Sequence, residues 1–224
     1  MIEFYHVHKQ YVKDQFALSD ISLSINKGEF VFLTGASGAG KTTLLKLIFK
    51  EELPSRGQIL IDSININLIP LKLLYQLRRS IGIVFQDFKL LDKRTVYENV
   101  AIPLVVKGTR KVLIDKMVTN ALSLVGLIHR RNYIPSHISG GEQQRVAIAR
   151  AIVGNPKIII ADEPTGNLDT ELSIEVFKTF ERINANGITV LIATHDNHLM
   201  EQFPKRVVKL EKGRLLSDGK IERM

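Results

Sequence analysis

Apolar and polar residues alternate strictly over Ile21-Ser22-Leu23-Ser24-Ile25, the period of a strand with one buried face, and Asn26-Lys27-Gly28 supplies a turn after it. The N-terminal part therefore reads as antiparallel sheet. Four later runs are apolar without alternation: Phe30 to Leu33, Ile81 to Phe85, Ile158 to Ala161 and Val190 to Ala193. Such runs suit strands covered on both faces, as in a parallel sheet flanked by helices. Between the second and third runs the pattern is mostly helical, including Lys111 to Val125 and Glu142 to Val153, so residues 87–156 are expected to form a helical insertion in the sheet domain. Val207 to Leu210 and Arg214 to Leu216 bracket Glu211-Lys212-Gly213 as a hairpin. With no internal repeat or long linker, the expectation is one α/β domain over residues 1–224.

A chain of 224 residues that is 45% hydrophobic has material for one substantial core. The absence of cysteine excludes a disulfide framework or a thiolate metal site and fits a reducing, cytoplasmic setting. Met1-Ile2-Glu3-Phe4-Tyr5-His6 has no basic segment leading into a long apolar run, and no stretch approaches the roughly 20 apolar residues that span a bilayer. The net charge of +8 favours an acidic partner such as lipid headgroups or nucleic acid. Its densest clusters, Arg78-Arg79 and His129-Arg130-Arg131, are short and carry no interleaved aromatics for stacking on bases. A solvated surface is the first reading, a membrane-facing one the second, and nucleic acid is not expected.

Gly35-Ala36-Ser37-Gly38-Ala39-Gly40-Lys41-Thr42 matches the Walker A pattern, between the strand Phe30 to Thr34 and the helical run Thr43 to Phe49. Glycines let the backbone aim N–H groups at phosphate oxygens, and the helix start adds a positive end. In that chemistry Lys41 reaches the β and γ phosphates and the Thr42 hydroxyl coordinates magnesium.

Ligands of open parallel sheets gather beyond the carboxyl ends of the strands, and each continuous run here ends in residues that a magnesium nucleotide site needs. Thr34 leads into the phosphate loop, Phe85 into Gln86, Ala161 into Asp162 and Glu163, and Ala193 into Thr194 and His195. Asp162 is placed to hold magnesium as a Walker B carboxylate, and Glu163 to orient or deprotonate the attacking water. The bland alternatives are a solvated acidic pair for Asp162 and Glu163 and a structural role for His195.

A phosphate loop alone leaves kinases, GTPases and many ATPases open, although no Asn-Lys-x-Asp guanine-reading motif is present. Ile138-Ser139-Gly140-Gly141-Glu142-Gln143-Gln144-Arg145 resembles the signature motif of ATP-binding cassette (ABC) nucleotide-binding domains, with Ile138 where leucine is usual. The same residues read as a capping box, Ser139 at the N-cap and Glu142 three residues on, and both readings hold together.

The resemblance covers nearly the whole chain and implies the ABC ATPase fold: a mainly parallel core sheet flanked by helices, an N-terminal antiparallel β subdomain and an inserted helical subdomain. It implies ATP and Mg2+ as ligands, bound by the loop Gly35 to Thr43. Gln86 becomes the Q-loop glutamine and a third magnesium contact beside Thr42 and Asp162, Gly166-Asn167-Leu168-Asp169 the D-loop, and His195 the switch histidine. Tyr11 stands about where the family sets an aromatic ring against adenine, with a core tyrosine as the alternative. Two such domains pack head to tail in the family, so Ser139, Gly140 and Gly141 face the partner subunit's ATP and one chain implies a homodimer.

Ala161 to Asp169, Phe85 to Leu91 and Arg94 to Ala101 most resemble the cell-division ATPases among the lipoprotein-release and macrolide-export branch. That resemblance implies an integral membrane partner, a place on the cytoplasmic face of the plasma membrane at the division site, and indirect control of peptidoglycan hydrolases; an exporter ATPase is the alternative. The segment from Asp87 to Val106 is where the family receives its membrane partner, with Phe88, Leu90 and Leu91 either lining that groove or packing in the core. One departure concerns Phe49-Lys50, which lacks the glycine often found after the first helix.

Overall fold

The computed structural model describes residues 1–12 and 15–220. They form two compact units, one from Met1–Arg78 with Gly187–Met224, the other Arg79–Asn186.

In the first unit, β1 (Ile2–Val12), β2 (Gln15–Ile25), β4 (Arg56–Ile61) and β5 (Ile64–Asn65) make an antiparallel sheet in the order β2-β1-β4-β5. The alternation read from sequence holds: Ile21, Leu23 and Ile25 are buried while Ser22 and Ser24 are exposed. A second group of strands comprises β3 (Phe30–Thr34), β8 (Thr189–Ala193), β9 (Arg206–Glu211) and β10 (Arg214–Lys220). Here β3 runs parallel to both β8 and β9, and β10 closes the expected hairpin against β9. Every residue of β3 and β8 is buried, which explains why neither alternates.

Helix α1 (Lys41–Ile48) buries Leu44, Leu45, Leu47 and Ile48. It ends at Phe49, and Lys50 then takes the left-handed φ of 52° that glycine usually serves. The Lys50 ammonium donates to the carbonyls of Asn67 at 3.1 Å and Ile69 at 2.6 Å, contacts that hold the unfavourable backbone. A short α2 (Leu74–Arg79) lies at the sequence boundary of the two units, and α7 (Asn197–Gln202) follows β8 with Asp196 as its N-cap.

In the second unit, β6 (Ile81–Val84) and β7 (Ile158–Asp162) pair in parallel, from Ile81 opposite Ile158 to Val84 opposite Ala161. Between them in sequence come α3 (Val96–Val106), α4 (Lys111–Leu124) and α5 (Gly140–Ile152), and α6 (Thr170–Ala185) follows β7. Thr95 and Glu98 box the start of α3, and Ser139 and Glu142 that of α5. Helix α5 lies close on β6: a Cβ on Gly82 would stand 2.4 Å from the Ala151 carbonyl oxygen. Among the described residues no helix is long and apolar enough to cross a membrane.

Candidate nucleotide site

The first unit carries the phosphate loop. Its shape depends on two glycines whose side chains would collide with backbone: a Cβ at Gly35 (φ 145°) would meet the Leu210 carbonyl oxygen at 2.3 Å, and one at Gly40 (φ 106°) the Ala17 carbonyl oxygen at 2.7 Å. Gly38 (φ 76°) instead faces open space. Gly35 and Ala39 are buried, while Ala36, Ser37 and Gly38 are exposed, so the loop turns its middle outward from a fixed base. Gly40 caps α1 with no side-chain hydrogen bond, leaving the first-turn N–H groups to an incoming acceptor. Lys41 is buried, and its ammonium donates to the carbonyls of Gly35 at 2.7 Å and Ala36 at 3.3 Å, inside the loop that it serves. Thr42 is exposed at the first turn and Thr43 half-buried.

Strand pairing brings His195 to the same end. Leu33 on β3 lies opposite Ala193 on β8, and the Thr194 N–H donates to the Leu33 carbonyl at 3.0 Å. Gly35 and His195 thus leave adjacent parallel strands together, with His195 exposed. Tyr11, on β1 of this unit, is 52% exposed, which removes the core-tyrosine alternative; the Lys9 ammonium stands 4.8 Å from its ring centre.

The second unit repeats the arrangement with the other groups. Because Val84 lies opposite Ala161, Gln86 and the pair Asp162-Glu163 leave β6 and β7 at one end. Gln86 reaches the D-loop segment: its carbonyl accepts from the Asn167 amide at 3.5 Å, and a Cβ on Gly166 would stand 3.1 Å from its side-chain nitrogen. Asp162 and Glu163 are half-buried, and the Asp162 Oδ1 is buried. Glu163 has φ 47°, unusual for any non-glycine and more so before a proline. Asp169 acts as N-cap of α6, accepting from the Leu172 N–H at 2.9 Å.

The signature residues open α5. Ser139 and Gly140 are exposed, and Gly141 is buried with its Cα side 3.0 Å from Leu172 if a Cβ is added. The Ser139 hydroxyl accepts from the Glu142 N–H at 3.2 Å, and Glu142 accepts from the Ser139 N–H at 2.9 Å and from Arg130 at 2.9 Å. Burial alone would raise the Glu142 carboxyl, but the Ser139 N–H and Arg130 outweigh it and hold the group below its ordinary range. Of the apolar residues after Gln86, Leu91 is exposed, while Phe88 and Leu90 are half-buried.

Two contacts in this unit gave no sequence signal, because each joins a side chain to a distant backbone carbonyl. Arg150 donates to the carbonyls of Phe88 at 2.7 Å and Lys89 at 2.6 Å, both residues being left-handed, and burial pushes its guanidinium down. Gln144 donates to the Pro164 carbonyl at 2.5 Å.

Magnesium needs hard oxygen donors; the first unit offers the Thr42 hydroxyl and the second, separately, the Asp162 carboxylate. Among the described residues no group of three or more His, Asp or Glu gathers as an all-protein metal cage.

The chain is similar to known proteins in sequence and in fold. The ABC transporter family model matches residues 18–166. The cell division ATP-binding protein FtsE of Bacillus subtilis (strain 168) is 50% identical over 218 residues, covering 97% of this chain and 96% of that protein. FtsE of Escherichia coli (strain K12) is 47% identical over 215 residues, covering 96% and 97%. A dimeric bacterial ABC transporter cassette superposes with a TM-score of 0.89 at 36% identity over the full length of both chains. The same cassette in a dimeric post-hydrolysis state bound to ADP and Pi gives 0.89 at 35% identity.

Proposed function

Because the chain belongs to the ABC transporter family, we propose that it is the ATP-binding and ATP-hydrolysing subunit of a membrane complex that serves cell division. The observation carrying the ATPase reading is the phosphate loop, in which Gly35 and Gly40 admit no side chain and Lys41 is buried among the loop's own carbonyls. The division role is supported by identity near 50% to FtsE proteins over almost the entire length of both chains.

Bound magnesium would neutralise phosphate charge; Thr42, Asp162 and Gln86 are the residues that would hold it. The loop from Gly35 to Thr43 cradles the phosphates with backbone N–H groups, and Lys41 exchanges carbonyl partners for phosphate oxygens. Tyr11 stacks on the adenine. Glu163 orients the attacking water and accepts its proton, while His195 contacts the γ phosphate. Ser139, Gly140 and Gly141 act on the ATP of a second subunit in a homodimer, which ATP closes and hydrolysis loosens.

Residues 87–156 form the helical subdomain of a single nucleotide-binding domain over residues 1–224. The segment from Asp87 to Val106 docks an integral membrane partner resembling FtsX, placing the chain at the cytoplasmic face of the plasma membrane at the division site. ATP turnover changes that partner's shape and so controls peptidoglycan hydrolases beyond the membrane. Co-purification with membrane proteins tests this: recovery of an FtsX-like protein supports the division role, whereas recovery of a subunit that moves lipoproteins or drugs replaces it with export.

A further inference from the structure

Helix α5 carries a buried amide that the nucleotide chemistry above does not use. Gln144 is 0% exposed, and its Nε2 donates to the Pro164 carbonyl at 2.5 Å. Only the NH2 end can serve there, because the acceptor is a carbonyl and proline has no N–H. The other end, Oε1, is buried without a hydrogen-bond partner among the described residues. A leucine or methionine would fill the same volume with no orphaned acceptor, so packing does not explain an amide at this position. The donor is its reason.

What the donor holds is the Pro164–Thr165 peptide, one beyond the Glu163–Pro164 bond. Glu163 has φ 47° and precedes a proline, a combination that a free chain avoids. The turn is closed on the far side by the Gly166 N–H donating to the Glu163 carbonyl at 3.1 Å. Rotation about the Glu163 backbone would swing the carboxylate and carry Pro164 with it, and Gln144 opposes that by holding the Pro164 carbonyl within the turn. On the same helix, about 7.5 Å away at 1.5 Å per residue, Ser139 caps the N-terminus.

We infer that Gln144 is a positioning residue for Glu163: its hydrogen bond to Pro164 holds the left-handed turn that aims the carboxylate, and helix α5 ties that aim to the signature residues. This rests on Glu163 as the residue that acts on water. A displacement of Ser139 by the partner subunit's nucleotide is then felt at this subunit's own carboxylate.

The test uses the full chain, with its membrane partner where turnover requires it, and reads kcat, KM for ATP, affinity for a fluorescent ATP analogue with magnesium, and Tm. Gln144→Met keeps the volume and removes the donor. It is expected to lower kcat by about tenfold or more, since small misplacements of reacting groups cost that much, with analogue affinity within about twofold of the parent. In Gln144→Glu the buried carboxyl donates only when protonated, so kcat should recover as pH falls from about 8 to 6, a profile that lost packing would not produce. Added to Glu163→Gln, Gln144→Met should lower kcat little further. If Gln144→Met turns over normally while Glu163→Gln does not, the inference is overturned and the role of Glu163 stands. Additive losses in the double variant, or no acid recovery in Gln144→Glu, overturn it too. Normal turnover in Glu163→Gln removes the underlying reading instead.

Discussion

The Thr194 N–H donates to the Leu33 carbonyl oxygen at 3.0 Å, two residues before the phosphate loop begins on one strand and one residue before His195 on the other. A single backbone hydrogen bond thereby sets the level of two candidate site elements that lie far apart in sequence. The loop itself is fixed from below by backbone contact, and its lysine is buried.

Lys41→Ala should weaken binding of magnesium ATP by about 10- to 100-fold, the cost of one charge-assisted contact. Titration of a fluorescent ATP analogue measures it, and unchanged affinity would remove Lys41 from the phosphates.

Glu163→Gln should lower turnover by about 100-fold or more while ATP still binds. Phosphate release under saturating ATP reads the first, analogue titration the second.

Ser139→Arg should abolish hydrolysis by the dimer yet leave nucleotide binding to the isolated subunit intact. Separately, Ser139→Ala removes the α5 cap and should cost about 1 kcal/mol in urea unfolding. Normal dimerisation and turnover in the arginine variant would contradict the head-to-tail arrangement.

Two glycines separate clash from conformation. Gly35→Ala meets the Leu210 carbonyl at 2.3 Å and should destabilise by about 2 kcal/mol or more. Gly108→Ala, at φ 75° with nothing within 4 Å, should cost only about 1 kcal/mol. Urea denaturation of both variants gives the comparison.

Glu142 supplies a pH dependence. Its carboxyl is held below the ordinary value in the folded state, so its contribution to stability is fully present above the unfolded pKa and is lost as pH falls through the lowered folded value. The Tm of the parent should therefore fall more steeply than that of Glu142→Gln between about pH 5 and pH 3. Parallel curves would exclude the carboxylate as a source of acid sensitivity.

The elements that could be read from sequence are those with local causes. The Walker A spacing, the box of Ser139 and Glu142, and the uninterrupted burial of β3 and β8 all follow from residues within a few positions of one another. What escaped depends on tertiary contact. Nothing near Gln144 in the chain announces the Pro164 carbonyl, and Lys50 reads as a poor helix end until its ammonium is seen on Asn67 and Ile69. Likewise, a tyrosine such as Tyr11 reads equally as core or surface until the sheet assigns its exposure.

The pairing of β3 also governs the order in which the protein can be made. Both of its neighbours, β8 and β9, come from the last part of the chain, so residues 35–188 must be synthesised before either edge of this apolar strand is covered. At roughly 5–20 residues per second, that leaves the phosphate-loop strand waiting on the order of ten seconds or more on the ribosome. A message truncated before Thr189 would release a chain with both β3 edges unpaired, a substrate for chaperones and proteases rather than a smaller working cassette.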